Sequence, residues 1–358
     1  MKIALLNLPV DNNYGGNLQR YALVKVLQGM GHDVKHINLR FNIVVNLKPL
    51  IITAIKRIIK SIIHRKRYEV FPTYNAYKRY KKMTALTDVF YDKYIPHTRV
   101  YRNKEDLRQI SGFDIYIVGS DQVWRKSIAK PHGIGTYFFD FLKEVNAKRI
   151  AYGVSLGTAE NELSNEEIGK LGLLYKIFKA VSVREESGLN LLKSYGWNHP
   201  TPEVVLDPTL LLDRQYYDLL IEKAETYRPD GSLFSYILDY TEEKEKLVND
   251  ISHNYSLKSF SLSLSNNNNT SIEQWLRYFK ETKMVVTDSF HGLLFSIIYN
   301  KPYFLIMNEF RGNARFDSIL GLFHLSENEM QREDWTEVNY IKEDLKKKSL
   351  MFLENNLR

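Results

Sequence analysis

The run KIALLNLPVDNNYGGNLQRYALVKVLQGMGHDVKHIN, residues 2–38, decides the fold. Lys2 to Leu8 reads as a short apolar strand that stops at Pro9 and Asp11. A loop with Gly15 and Gly16 follows, and apolar residues then recur at helical spacing from about Leu18 to Met30. Gly31 is a natural stop for that helix, and Val34 to Asn38 is a second strand. Strand, helix and strand in succession predict parallel α/β layers.

Working outward, further strands are expected at Ile115–Val118, Arg149–Val154 and Ala180–Arg184. A second set begins near Asp213, with strands at Leu233–Leu238, Leu257–Leu262, Met284–Thr287 and Pro302–Met307. Helices are expected at Glu242–His253, Ile272–Glu281 and about His291–Tyr299. With 358 residues the chain suits two domains. The expectation is therefore an α/β fold of two Rossmann-like lobes, residues 1–212 and 213–335, facing a cleft. Residues 336–358 read as a helix crossing back to the first lobe. Ligands of open α/β sheets sit at the carboxyl ends of the strands, so the cleft is the expected site. The polar run at Ser265–Thr270 reads as a surface loop.

Cysteine is absent, which excludes disulfides, thiolate metal sites and a cysteine nucleophile. No HExxH motif or His/Glu cluster stands out, so no protein-only metal site is expected, and any metal requirement stays open. The formal charge of +8 favours anionic partners. The N-terminus suits a buried strand better than a signal peptide, and no apolar stretch is long and clean enough to span a membrane.

Residues 43–67 stand apart. Leu47, Leu50, Ile51, Ala54, Ile55, Ile58, Ile59, Ile62 and Ile63 keep helical spacing over several turns. Lys56, Arg57 and Lys60 lie off that stripe, and Arg65, Lys66 and Arg67 close it. Two readings stand: a helix packed on the core with its basic residues in water, or an interfacial helix against anionic headgroups.

Chemistry-bearing motifs sit at strand ends. In DNNYGGNLQRY the glycines allow close backbone approach, and the following helix start offers free N–H groups. Asn12, Asn13, Tyr14, Gly15, Gly16, Asn17 and Gln19 are candidates to meet sugar hydroxyls, or else form a plain strand-to-helix turn with its cap. The motif is neither a Walker loop nor GxGxxG. In VGSDQVW, Asp121 is a candidate base or acid, or a capping residue. Trp124 either stacks on a sugar or fills the core. AYGVSLG, from Ala151 to Gly157, is another strand end with two glycines. Arg184 ends a short strand and suits forked contact with phosphate or carboxylate, or a surface ion pair. In VVTDSFHG a β-branched strand runs into a helix opened by His291, a group that titrates near neutrality. Arg311, Asn313 and Arg315 read as a basic loop, with Arg315 left to solvent.

NYGGNLQRYAL, GSDQVW, GVSLG, SVREESG, VLDPTLL and TDSFHG, in this order, resemble the polysaccharide pyruvyl transferase family over roughly residues 1–310. Lys48–Tyr94 and the tail after about 325 lie outside the shared set. The resemblance implies a GT-B-like pair of lobes, phosphoenolpyruvate as co-substrate with no cofactor, and a sugar acceptor that becomes a cyclic pyruvate ketal. It implies a donor site of His291, with Phe290 and Ser289 before it, and Arg184. Many members carry arginine where Ser289 stands, so Arg184 or Arg311 would make up the charge. His291 as acid and Asp121 as base, or the reverse, follow from the same likeness. A lipid-linked acceptor at the inner face of the cytoplasmic membrane would fit the basic amphipathic segment. A sugar-nucleotide glycosyltransferase and a non-catalytic membrane or nucleic-acid module are the rivals; no nucleic-acid motif is recognisable.

Overall fold

The computed structural model describes residues 1–41, 47–143, 146–223, 229–262, 270–308 and 312–358. The first sheet holds β1 (Lys2–Leu6), β2 (Asp33–Leu39), β3 (His97–Tyr101), β4 (Ile115–Val118), β5 (Lys148–Val154), β6 (Ala180–Val183) and β7 (Glu203–Val204). All are parallel, in the order β3-β2-β1-β4-β5-β6-β7. The second sheet holds β8 (Leu233–Tyr236), β9 (Ser259–Ser261), β10 (Met284–Thr287) and β11 (Tyr303–Leu305), ordered β11-β10-β8-β9 and again parallel. Strand order reverses between β1 and β4 in one sheet and between β8 and β10 in the other. Those reversals are the switch points at which crevices open outside the strand carboxyl ends.

The central strands are buried on both faces, as parallel sheets covered by helices require. One apolar cluster covers the outer face of the first sheet, with Tyr116, Trp124 and Phe138 in it. A smaller one covers the outer face of the second, with Leu233, Val286 and Ile251. The largest lies between, and takes Ile3 and Leu5 from β1, Phe234 from β8 and Val285 from β10. The lobes therefore share one core.

Helix α1 (Tyr14–Gly29) starts four residues earlier than its periodicity predicts, because Asn13 caps it: the Asn13 side chain accepts the Gly16 N–H at 2.9 Å. Gly15 and Gly16 are thus the first helical turn rather than a loop. Strand β3 escapes the sequence because it is a polar, mostly exposed edge. Between β2 and β3 lie α2 (Leu47–His64) and α3 (Pro72–Tyr94). The C-terminal helix, Thr336–Leu357, packs Phe352 on Tyr152 of β5 and accepts the Leu206 N–H on Ser349 Oγ. Residues 43–46, most of the run at Ser265–Thr270, and Arg311 lie outside the described residues.

Candidate active site

A cavity of about 360 Å³ opens at the two switch points. Asp11, Asn12 and Asn13 line it from beyond β1, and Asp121, Gln122 and Arg125 from beyond β4. Tyr236 ends β8 and Leu238 lies just beyond it, Ser289, Phe290 and His291 come from beyond β10, and Arg315 from the helix Ala314–Phe323. A larger depression, about 880 Å³, lies at the opposite edge around Met1, Asp33, Asp114 and Lys148. That edge holds the amino ends of the strands, where open α/β sheets do not bind their ligands.

The loop after β1 is held from behind. Asn7, wholly buried, donates to the Gly119 carbonyl at 2.8 Å and to Gln19 Oε1 at 3.3 Å, and the same Gln19 oxygen accepts the Ser120 N–H. Asn17 donates to the carbonyls of Asp11 and Asn13 and accepts from Arg20 at 2.7 Å. Gln19 is therefore spent on joining the ends of β1 and β4, and Asn17 on holding the loop after β1 to α1, in place of the contact with an acceptor expected of them. Tyr14 is also buried: its hydroxyl donates to the Thr270 carbonyl at 2.7 Å, and its ring lies 5.8 Å from Trp275, clasping the lobes together. Gly16 gives its N–H to the cap. Gly15 does permit a close approach, but to protein: a Cβ there would lie 2.1 Å from the His291 ring. Of the expected acceptor set, Asn12 and Asn13 line the cavity. Trp124 does not; its ring stacks on Phe138 at 4.4 Å and its Nε1 donates to the Tyr137 carbonyl, so it is core.

Across the cavity, Ser289 caps the helix Phe290–Ile298 by accepting the Gly292 N–H. The first-turn amides of Phe290 and His291 have no partner within the helix by its geometry, and the dipole adds positive potential there. Gly292 is obligatory, since a Cβ would meet Thr287 Oγ1 at 2.3 Å. Asp288 is buried and accepts the Leu238 N–H at 2.6 Å and Lys244 Nζ at 2.7 Å, locking the ends of β8 and β10 together. His291 is 6 % exposed. Its Nε2 has no hydrogen-bond partner and lies 3.8 Å from Asp207 Oδ2. Burial lowers the imidazole below its ordinary 6.5, against the pull of Asp207 and Asp121, so it is neutral at pH 7.

Behind this wall sits Arg184, 1 % exposed. It donates to Asp207 at 2.6 Å and to Asp121 at 3.2 Å, and Glu185 lies 4.0 Å away. Arg184 is thereby corrected from a donor contact to the counter-ion of a buried carboxylate cluster. Asp121 takes a left-handed φ of 77°, a strained setting for a non-glycine residue. Burial would raise its carboxyl, but Arg184, His291 and Arg315 hold it below 3.8. Two cations line the cavity: Arg125, which is paired with Glu162 at 3.1 Å, and Arg315, expected in solvent but buried on a helix, 5.1 Å from the Phe290 ring. Arg184 lies over the same ring at 4.5 Å. Burial and Arg184 lower Arg315 to about 10, which leaves it charged at neutral pH. Asp11 was also passed over in the sequence as a site residue. Burial raises its carboxyl above 3.8, although the Asn13 N–H and Arg20 oppose this.

Comparison with known proteins follows this geometry. A family profile described as polysaccharide pyruvyl transferase matches residues 13–309. No curated protein matches the chain. Among solved structures, UDP-N-acetylglucosamine 2-epimerase from Rickettsia bellii aligns at a TM-score of 0.50 with 9 % identity, covering 99 % of this chain and 96 % of that one. An uncharacterized protein from Klebsiella pneumoniae aligns at 0.41 with 12 % identity, over 88 % and 87 % of the two chains. At such identities the likeness is one of fold, and the fold is the GT-B pair of Rossmann-like lobes. With the match running through both lobes and across the cavity residues Asn13, Asp121 and His291, the chain belongs to the polysaccharide pyruvyl transferase family.

Proposed function

We propose that this cavity binds phosphoenolpyruvate and transfers its pyruvyl unit to a pair of sugar hydroxyls, forming a cyclic ketal. The observation that carries the reading is Arg315 beside the open first turn of helix Phe290–Ile298 in a small cavity. A buried guanidinium with convergent backbone N–H groups is suited to a small, multiply charged anion. Ser289, where many relatives carry arginine, contributes a cap instead, and Arg315 supplies the charge.

The proton steps follow from the environments. Asp11, which keeps its proton to higher pH than an open aspartate, protonates the methylene carbon and makes C2 electrophilic. A sugar hydroxyl attacks C2 and gives its proton to neutral His291. Ionised Asp121 stabilises the positive charge developing at C2. Phosphate departs and takes the proton of the second hydroxyl as that hydroxyl closes the ring. His291 then gives up the first hydroxyl's proton and Asp11 regains one through solvent, so the net change is one proton added to the new methyl group and one to phosphate. Of the two assignments open for His291 this reading takes the base, and it gives the acid's part to Asp11 rather than to Asp121. No cofactor enters the sequence of steps. The acceptor in this reading is a lipid-linked oligosaccharide of capsule or exopolysaccharide assembly, met at the inner face of the cytoplasmic membrane.

The test is phosphate release from phosphoenolpyruvate on adding lipid-linked oligosaccharide, with the product followed by mass. Acceptor-dependent release and a ketal mass are expected. Consumption of a sugar nucleotide with phosphoenolpyruvate untouched would overturn the reading.

A further inference from the structure

Helix α2 stands out among the described residues for what it leaves bare. Ile51, Ile52, Ile55, Ile58, Ile59, Ile62 and Ile63 are between 46 % and 72 % exposed. At about 100° per residue these seven side chains occupy one continuous arc of about 140°. Ala54, which lies about 40° beyond the Ile58 edge of the arc, is buried at 6 %, so the helix turns its wide apolar face outward. A packed core helix would do the reverse. Monomeric soluble proteins rarely expose an apolar patch of this kind without a partner for it.

Charge identifies the partner. Between residues 51 and 87 there are ten lysines and arginines and one acidic residue, Glu69. Elsewhere in the chain acidic and basic residues balance to within one charge, so the whole excess of +8 resides in this hairpin. Lys56 and Lys60 border the isoleucine arc, and Arg65, Lys66 and Arg67 follow at its end, all exposed. Lys78, Arg79, Lys81 and Lys82 continue the positive surface along α3. No helix of the described residues is long and apolar enough to cross a membrane. An aliphatic face rimmed by cations lies in the headgroup region of an anionic bilayer.

The hairpin is tied to the cavity. The Tyr80 hydroxyl of α3 donates to the Val10 carbonyl at 2.9 Å, immediately before cavity residue Asp11. Arg40 pairs with Asp88 of α3, and Phe90 and Tyr91 of α3 are fully buried in the central core. Helix α3, which follows the bare helix after seven residues, is thus fixed to the loop that carries Asp11, Asn12 and Asn13.

We infer that α2 and α3 form an interfacial anchor that seats the protein on an anionic lipid surface beside the cavity mouth. This surface is distinct from the catalytic cavity and does not rest on the identity of the donor.

The test is co-sedimentation with vesicles of phosphatidylglycerol and phosphatidylcholine, against phosphatidylcholine alone. The intact chain should pellet with the anionic vesicles, and less so as salt rises, since each surface Lys or Arg strengthens such binding about fivefold. Ile55→Glu, Ile59→Glu and Ile62→Glu together should lower partitioning by at least about a hundredfold. The melting temperature and phosphoenolpyruvate binding should stay unchanged, which separates this proposal from the donor reading. Lys56→Glu with Lys60→Glu, both exposed, should abolish the preference for anionic lipid and provides a second variant. Wild type remaining in the supernatant at low salt would overturn the proposal. So would a chain that stays off vesicles and forms a dimer which the isoleucine variant splits, because the face would then be a self-interface.

Discussion

Two strand-to-helix turns face each other across the cavity, and they differ mainly in length. Six residues separate the end of β1 from the Asn13 cap, whereas Asp288 alone separates the end of β10 from the Ser289 cap. The long turn sends Asp11, Asn12 and Asn13 over the cavity while the helix behind it, with Asn17 and Gln19, sinks into the core. The short turn leaves no room for such an overhang, so the helix start itself is the wall and presents His291 and backbone amides. Turn length thus decides whether loop side chains or a helix start line the cavity.

That contrast can be broken from either side. The largest effect is expected at the short turn. His291→Ala should lower turnover by roughly 10²–10⁴-fold, the range for loss of a positioned general base, with melting little changed. Near-normal turnover would remove His291 from the chemistry. At the long turn, Asn17→Ala should act on stability instead. It leaves the buried Arg20 guanidinium with the Leu8 carbonyl but without its side-chain acceptor, and should cost about 1–3 kcal/mol in denaturant unfolding. Intact stability with a selective rise in acceptor KM would return Asn17 to the binding surface.

Asp11→Asn sharpens the comparison through pH. His291 must be neutral, so the rate falls on the acid side as pH drops through its lowered pKa, below 6.5. Asp11 must be protonated, so the rate also falls as pH rises through its raised pKa, above 3.8. The asparagine variant should be slow and should lose the alkaline limb alone. An unchanged profile in that variant would exclude Asp11 as the acid. The smallest effect is expected for Asn12→Ala, a several-fold rise in acceptor KM with kcat held, from loss of one partly exposed hydrogen bond.

The same contrast shows what was legible in the sequence. Strand positions were, because runs such as Met284–Thr287 and Ile115–Val118 are short, apolar and bounded by turn residues. The position of His291 on the cavity wall was, because a strand running directly into a helix puts the junction at a sheet's carboxyl edge. Asn17 and Gln19 were misread because their residue types suit sugar hydroxyls as well as they suit Arg20 and Ser120, and those long-range partners exist only in the fold. Trp124 was undecidable for the same reason until Phe138 was seen beneath it. Arg315 looked solvated because it follows glycine and asparagine, yet the helix Ala314–Phe323 turns it inward onto Phe290. Gly15 was recognised as a point of close approach, but what approaches is His291.

The central claim is that Arg315 and the helix start beyond β10 form an anion site for the donor. Calorimetric titration of phosphoenolpyruvate into the wild type and Arg315→Ala, with melting temperatures recorded for both, tests it most directly. The account predicts saturable binding by the wild type, weakened at least about tenfold in the variant, as expected for loss of a charged hydrogen-bond donor. Equal affinity in the two folded proteins would contradict it.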